Sequence, residues 1–167
     1  MTLYYDHVVT PFGDAAAVVD EDDAVVEFTF LNGVMQNLYA HDAGAVRSPE
    51  RLAPVKAQVE AFFLRRRSEF TLNLKPRGTP FQQKVWSALC DIPFGATLSY
   101  QELARRIGDE KAMRAVGAAN GRNPIALIIP CHRVIGKSGQ LTGYGGGLPL
   151  KRALLDFEAQ AAEPRLL

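Results

Sequence analysis

A cysteine, a histidine and an arginine stand in succession at 131–133, within "NPIALIIPCHRVIG" (123–136). A thiol becomes a strong nucleophile only as its thiolate, and a neighbouring cation or proton acceptor favours that form. His132 and Arg133 are the neighbours available to Cys131. A histidine that takes up a proton needs its other ring nitrogen held by an acceptor, often a carboxylate. Glu158, in "LPLKRALLDFE", is the local candidate. It lies four residues after Leu154 and shares a face with it, on a helix that Pro149 can start and that Leu150, Leu155 and Phe157 help to pack. Asp156 points elsewhere, toward solvent. One geometric constraint applies: in an extended segment successive side chains face opposite ways, so His132 reaches Cys131 only across a turn or through a water. On these residues alone, a Cys131–His132–Glu158 relay stands level with a structural cysteine and an unrelated helix carboxylate.

The segments around these residues must position them. "IALII" (125–129) reads as a short, continuously apolar strand, and Pro130 breaks its pairing. Between Cys131 and Glu158 runs "SGQLTGYGGG", with Gly139, Gly143, Gly145, Gly146 and Gly147 inside nine residues. That is a low-profile loop able to wall a cleft for a flat ring, with Tyr144 in its middle, or simply a wide turn. No Gly-Lys-Ser/Thr follows it, so it is not a phosphate loop.

Upstream, the pattern becomes helical after "KPRG" (75–78), a plausible linker. Thr79-Pro80-Phe81-Gln82 is a capping box with proline at the first helical position. The helix it opens runs through "FQQKVWSALCDI", with Phe81, Val85, Trp86 and Leu89 as its apolar face. Cys90 within it reads as a buried core thiol, because free cysteines are among the most buried residue types. Ser99-Tyr100-Gln101-Glu102 is a second capping box, opening "YQELARRI", which Gly108 closes. Asp109 can cap "EKAMRAVGAAN". Two short helices joined by a turn make a helix-turn-helix pattern, whose second helix enters a DNA groove in many proteins; many helical pairs without DNA share it. Ala112, Ala115, Gly117, Ala118 and Ala119 leave the second helix thin. It suits close helix packing or a narrow minor groove, with Lys111 and Arg114 as its long basic side chains.

The first 46 residues read as strands and turns. "AAAVVD" and "AVVEFTFL", separated by "EDD", suit a hairpin, and "TPFGD" a turn. Ser48 and Pro49 open a helix on which Leu52, Val55, Val59, Phe62 and Phe63 recur at helical spacing. Arg65, Arg66 and Arg67 are its solvated end, and "FTLNLK" alternates as a further strand. The fold class expected is α+β. A small αβ domain with an antiparallel sheet spans 1–75, and a mostly helical domain with the helix-turn-helix and the Pro-Cys-His-Arg segment spans 76–167.

Composition narrows the function classes. With 167 residues, 47% hydrophobic and 22% charged, the chain is globular rather than disordered. No apolar run approaches the roughly 20 residues that cross a bilayer, and "MTLYYDHVV" lacks a signal-peptide pattern. A cytoplasmic protein without membrane contact is expected. Cys90, Cys131, His7, His41 and His132 are too scattered for a disulfide framework or a zinc site, so neither metal nor cofactor is expected. The net charge of +1 conceals an asymmetry: residues 1–74 carry 6 Lys+Arg against 11 Asp+Glu, while 75–158 carry 12 against 6. A basic second half suits an anionic partner, although surface charge alone is a weak guide.

Three stretches, "FQQKVWSALCDIPFGATLSYQELARRIG", "AMRAVGAANGRNPIALIIPCHRVIG" and "LTGYGGG" followed by "KRALLDFE", resemble the O6-alkylguanine-DNA alkyltransferases (methylated-DNA–protein-cysteine methyltransferases) in order and spacing. The resemblance runs from Thr79 to Glu158. Residues 1–75 resemble the family's opening domain only loosely, mainly in "TPFGD" and "VVEFTFLN". It implies a single-turnover DNA-repair transferase that binds double-stranded DNA in the minor groove, flips out O6-methylguanine (O4-methylthymine is a second candidate) and keeps the alkyl group on Cys131. His132 would act through a water and Glu158 would hold His132. Asn123 would tie the active segment to the helix-turn-helix, and Tyr100 would assist proton delivery to the leaving guanine. Arg114 would fill the hole left in the base stack, with Lys111, Ala112, Met113, Ala115, Ser99 and Gln101 also at the DNA. Val134, Tyr144, Gly145 and Gly146 would line the base pocket, where the carbonyls of Cys131 and Val134 and the N–H of Gly145 read the guanine edge. A monomer is implied, compatible with cooperative loading on DNA. Some relatives carry serine where Gly145 stands, so a roomier pocket is expected. Zinc-binding positions of some relatives have no clear counterpart. The main competing reading is an alkylated-DNA-binding module without chemistry; such relatives have tryptophan at the cysteine, which Cys131 argues against. A cysteine hydrolase lacks an oxyanion motif here, and a transcriptional regulator lacks room for a sensor domain.

Overall fold

The computed structural model describes residues 1–31 and 44–162. His41 and Asn32 of "VVEFTFLN" lie outside them, as does much of the stretch read as strands and turns before residue 46. The chain forms two units: Met1–Arg77 together with Pro124–Ile128, and Gly78–Asn123 together with the residues from Ile129 onward.

In the first unit β1 (Tyr4–Thr10), β2 (Gly13–Val19), β3 (Val25–Phe30) and β4 (Val46–Arg47) form one sheet in the order β3-β2-β1-β4. The "AAAVVD"–"AVVEFTFL" hairpin is the antiparallel pair β2–β3, in register from Ala15 opposite Phe30. β4 pairs parallel to β1, so the sheet is mixed at that edge. β1 shows the period of two that a half-covered sheet imposes: Val8 and Thr10 face in, while Val9 is 82% exposed. Asp6 also faces in. Its carboxylate accepts hydrogen bonds from Arg47 Nε (3.0 Å) and Lys56 Nζ (2.8 Å), which compensate the buried charge. Helix α1 (Pro49–Phe63) starts where Ser48 accepts from the Arg51 N–H, and buries Leu52, Val55, Val59 and Phe62.

"FTLNLK" does not form the expected strand. Only Leu74 bridges to Val25. The Gln58 side chain accepts from the Thr71 N–H at 2.9 Å and donates to the Thr71 hydroxyl at 3.1 Å, so the start of the segment is satisfied by a side chain rather than by a ladder.

In the second unit α2 (Pro80–Leu89) carries the complete capping box: Thr79 accepts from the Gln82 N–H, and Gln82 Oε1 accepts from the Thr79 N–H. Val85, Trp86 and Leu89 are buried, and Trp86 Nε1 donates to the Ala119 carbonyl at 2.8 Å. Two expectations fail at the ends of this helix. Phe81 is exposed because it sits in the first turn, and Cys90 is exposed because the helix stops at Leu89 and makes Cys90 its C-cap. Gly78 has a role that its place in a linker did not suggest. A Cβ there would sit 2.6 Å from Trp86 Cζ3 and 2.6 Å from Gln82 Oε1. The indole is pinned by its own hydrogen bond and cannot retreat. Gly78→Ala is therefore expected to cost about 1–3 kcal/mol, as overpacking does, and to lower the calorimetric midpoint by several degrees; an unchanged midpoint would show that the ring yields freely.

Ser99 caps α3 (Tyr100–Arg106) by accepting from the Glu102 N–H. Glu102 does not return the bond but pairs with Arg105, 3.4 Å away, so this box is half made. Gly108 closes the helix in the left-handed region at φ 87°. Asp109 then caps a 3-10 turn, Glu110–Ala112, and α4 (Met113–Gly121) begins three residues later than the pattern suggested. Two-residue strands β5 (Leu98–Ser99) and β6 (Val134–Ile135) pair in parallel. Helix α5 (Leu148–Ala162) buries Leu150, Lys151, Leu154 and Glu158.

Candidate functional site

The segment before Cys131 is not the expected strand. Ile125 makes one isolated bridge to Phe28, and the chain then turns. The Ile128 N–H donates to the Ala126 carbonyl at 2.7 Å around Leu127, whose φ is 68°. A second three-residue turn follows at once: the Cys131 N–H donates to the Ile129 carbonyl at 2.8 Å around Pro130 (φ −82°, ψ 62°). Those angles belong to an inverse γ-turn, and the proline ring fixes the φ it needs. Pro124 and Pro130 remove two ladder donors from a seven-residue stretch, which is why apolar character alone did not make a strand. The chain leaves Pro130 into a single 3-10 turn, Cys131–Arg133, and then enters β6.

That turn answers the geometric constraint on Cys131 and His132. At three residues per turn, successive side chains diverge by about a third of a revolution rather than a half. His132 is wholly buried, and its Nε2 lies 2.8 Å from Glu158 Oε2. Its Nδ1 is buried without a hydrogen-bond partner among the described residues. Arg133 does not serve the thiol. Its Nε and Nη2 donate to Glu158 at 2.7 and 2.9 Å, and its Nη1 donates to the Ile92 carbonyl at 2.7 Å. Glu158 is thus the shared acceptor of both neighbours of the cysteine. Burial alone would raise its carboxyl, but hydrogen bonds and charge from His132 and Arg133 prevail and hold it at about 2. Burial pushes the His132 imidazole below its ordinary range despite Glu158, so the ring is poised neutral and can accept a proton.

Burial also pushes the Cys131 thiol up, while a hydrogen bond from Asn123 and the charge of Lys151 pull it back. Asn123 Nδ2 donates to the Ile129 carbonyl at 2.8 Å, tying the end of α4 to the active turn. Asn120, one turn earlier, is buried and places Nδ2 3.4 Å from the Cys131 carbonyl. Neither Asn120 nor Lys151 stood out in the sequence. Lys151 had a signal: it precedes Leu154 by three residues and Glu158 by seven, on one helix face. Its Nζ donates to the carbonyls of Val134 and Thr142, both at 2.7 Å.

Tyr100 reaches the glycine-rich loop, where its hydroxyl accepts from Thr142 Oγ1 at 3.0 Å and contacts the Thr142 carbonyl at 3.4 Å. The Tyr144 hydroxyl is buried without a partner among the described residues; burial first, then the nearby charges of Cys131 and Glu158, keeps the phenol protonated. Val134 is fully buried. A Cβ on Gly146 would sit 2.6 Å from Leu150 Cδ2 and 3.1 Å from Tyr144 Cε2, whereas one on Gly145 would meet nothing within 4 Å. No atom here presses on Gly145, so the structure shows no crowding that its glycine relieves.

Arg114, Ala115 and Ala118 are exposed on α4, Lys111 is exposed on the 3-10 turn before it and Arg122 at its C-cap. Cations stand at both ends and small residues between. Arg122 was missed, although it lies eight residues after Arg114. Met113 is 43% exposed, and Ala112 is half-buried. Ser99 and Gln101 have local tasks, the cap described above and a hydrogen bond from Gln101 Nε2 to Glu110 at 3.0 Å. Among the described residues no three His, Cys, Asp or Glu side chains gather as a metal-ligand set, and no helix is long and apolar enough to cross a membrane.

Residues 80–160 match the family described as "6-O-methylguanine DNA methyltransferase, DNA binding domain". The chain is 44% identical over 156 residues to a methylated-DNA–protein-cysteine methyltransferase of Methanosarcina barkeri, covering 93% of this chain and 97% of that one. It is similar to the crystal structure of Mycobacterium tuberculosis O6-methylguanine methyltransferase, with a TM-score of 0.87 and 41% identity over 98% of this chain and 97% of the other. A crystal structure of Mycobacterium tuberculosis OGT in complex with DNA gives a TM-score of 0.86 and 43% identity, covering 95% and 94%.

Proposed function

The chain belongs to the methylated-DNA–protein-cysteine methyltransferase family, and from that premise we propose that it repairs DNA by taking the alkyl group of O6-alkylguanine irreversibly onto its own Cys131. The observation that carries the reading is the buried relay beside the thiol: His132 is held at Nε2 by Glu158 and keeps Nδ1 uncommitted. A neutral imidazole with one nitrogen anchored and the other available is the arrangement of a general base. The Cys131 proton passes to His132 through a water, and the thiolate sulfur attacks the alkyl carbon in line. The S–C bond forms as the C–O6 bond breaks, and the electron pair stays with the purine. Tyr100 gives up its long contact with the Thr142 carbonyl and supplies the proton the leaving guanine needs; His132 releases the thiol proton to solvent, and Tyr100 recovers one from it. Overall, a proton replaces the alkyl group on guanine and nothing else is consumed. The thioether has no route back to a thiol, so each chain acts once, one chain per lesion.

A base inside a duplex must be flipped out before Cys131 can reach it, at a cost of a few kcal/mol that a damaged pair reduces. The exposed side of α4 suits this step. Its small middle suits a minor groove; in this reading Arg114 fills the vacated stack, and Lys111 and Arg122 meet phosphates without reading sequence. The same reading puts the protein in the compartment that holds the DNA, the cytoplasm in a cell without a nucleus. Intact-mass measurement after mixing with a duplex carrying one O6-methylguanine tests the proposal. A gain of one CH2 group, saturating at one per chain and mapping to Cys131, is expected. Binding without any gain would identify a damage-recognition module instead.

A further inference from the structure

We infer that Thr142 is a positioning residue for the transfer step: its hydroxyl holds the Tyr100 oxygen and donates to it while Tyr100 hands its proton to the leaving guanine. The inference rests on the alkylguanine reading above and adds to it a residue that type and spacing did not single out.

Two bonds of unequal quality join Tyr100 to Thr142. Thr142 Oγ1 donates to the Tyr100 hydroxyl oxygen at 3.0 Å, and that hydroxyl faces the Thr142 carbonyl at 3.4 Å. The carbonyl is already engaged at 2.7 Å by Lys151 Nζ. The oxygen of Tyr100 is therefore held more firmly than its proton, which is the order a proton donor needs. Both ends of the pair are fixed. Buried Lys151 ties residue 142 of the glycine-rich loop to α5, and the same ammonium donates to the Val134 carbonyl at 2.7 Å. The Tyr100 ring runs close to α4 at Gly117, where an added Cβ would lie 3.8 Å from Cδ1 and from Cε1. A hydroxyl hydrogen otherwise rotates to suit its surroundings, and a donor on one lone pair of the oxygen limits where that hydrogen can point.

As the O–H bond of Tyr100 breaks, its electron pair stays on the phenolic oxygen and the proton goes to the purine. Negative charge thus develops on the atom to which Thr142 donates. A hydrogen bond to an ionised oxygen is roughly twice as strong as one between neutral groups. The Thr142 bond is therefore strongest during transfer, and it lowers the barrier rather than tightening DNA binding. The proton recovered from solvent restores the neutral pair. The Thr142 carbonyl, an acceptor, offers a phenolate nothing, so the effect belongs to the hydroxyl.

Single-turnover rates on a duplex carrying O6-methylguanine, at saturating protein, test this in a cycle with Tyr100→Phe. Thr142→Val removes the hydroxyl, keeps the branched shape and leaves the backbone carbonyl to Lys151. Residue 142 is exposed, so the variant is expected to fold. It is expected to slow transfer about tenfold, the worth of a hydrogen bond to a charged group, while Thr142→Ser stays within about threefold of the wild type. On top of Tyr100→Phe, Thr142→Val is expected to add less than about twofold, because the oxygen it serves is gone. Equal slowing in both backgrounds would give Thr142 a structural part in the loop and overturn the inference. An unchanged rate for Thr142→Val, or a serine variant as slow as the valine one, would overturn it as well. Tyr100→Phe as fast as the wild type would remove the premise of the pair while leaving Cys131 as the acceptor. No transfer by the wild type would instead defeat the alkylguanine reading.

Discussion

Cys131→Ser is expected to fold, to bind DNA in a gel-shift titration and to transfer no alkyl group, with a rate at least about 10⁴-fold below the wild type. The reason lies in the relay. His132 is a neutral base whose burial already disfavours its charged form, so it can draw a proton only from a group of moderate acidity. A thiol in this setting, even pushed up by burial, stays within reach, helped by Asn123 and Lys151. A serine hydroxyl in the same place does not. Sulfur is also the better in-line nucleophile toward an alkyl carbon. Binding should persist because the exposed side of α4 is untouched. A one-to-one mass gain on the serine variant would show that the acceptor lies elsewhere, and exposed Cys90 would be the first position to map.

Glu158→Gln is expected to be the most damaging change to stability near the site, by about 3 kcal/mol at neutral pH. Glu158 is 1% exposed and is the acceptor for both His132 and Arg133. Without its charge the Arg133 guanidinium is buried with no anion beside it among its hydrogen-bond partners, a loss of the size seen when buried pairs are broken. The carboxyl titration gives a similar figure: a fall from an ordinary 4.5 to about 2 corresponds to roughly 3 kcal/mol. The sign follows from proton counts. The unfolded carboxyl binds its proton near 4.5 and the folded one only near 2, so acid favours the unfolded chain. The contribution is complete above about pH 5 and is lost as pH falls toward 2. Urea titrations from pH 7 to 3 should show a steep acid limb for the wild type and a flatter one for the glutamine variant. Parallel limbs would mean that Glu158 is not held by its two partners. Transfer should fall at least about a hundredfold as well, because His132 loses the acceptor that sets its ring orientation.

Much of this was readable beforehand, and the reason is locality. The caps at Ser48, Thr79 and Ser99 involve groups within three residues, so residue type and spacing suffice. Glu158 shows itself by sitting four residues from Leu154. What escaped depends on long side chains or distant backbone. Arg133 stood beside the thiol in sequence, yet its reach let it turn to Glu158 and Ile92. Lys151 escaped because its partners are the backbone carbonyls of Val134 and Thr142, which residue types do not reveal. Asp6 follows the alternation of β1 inward, which no charged residue advertises, because its partners Arg47 and Lys56 come from elsewhere in the chain. The apolar run at 125–129 was misread as a strand because hydrophobicity reports burial and not backbone path; the turn at Leu127 has no glycine to announce it.

The path of Pro124–Ile128 has a consequence for how the protein is made. These five residues are counted with the first unit, where Phe28 donates its N–H to the Pro124 carbonyl at 2.9 Å and accepts from the Ala126 N–H at 2.9 Å. The polypeptide therefore completes its first unit only after most of the helices of the second have been synthesised, and only three residues before the reactive sulfur. Neither half is a cassette that recombination could exchange at the 75–78 boundary, since a chain cut there would strand Phe28 without its partner. On the ribosome, the edge of the sheet must wait for the last third of the sequence.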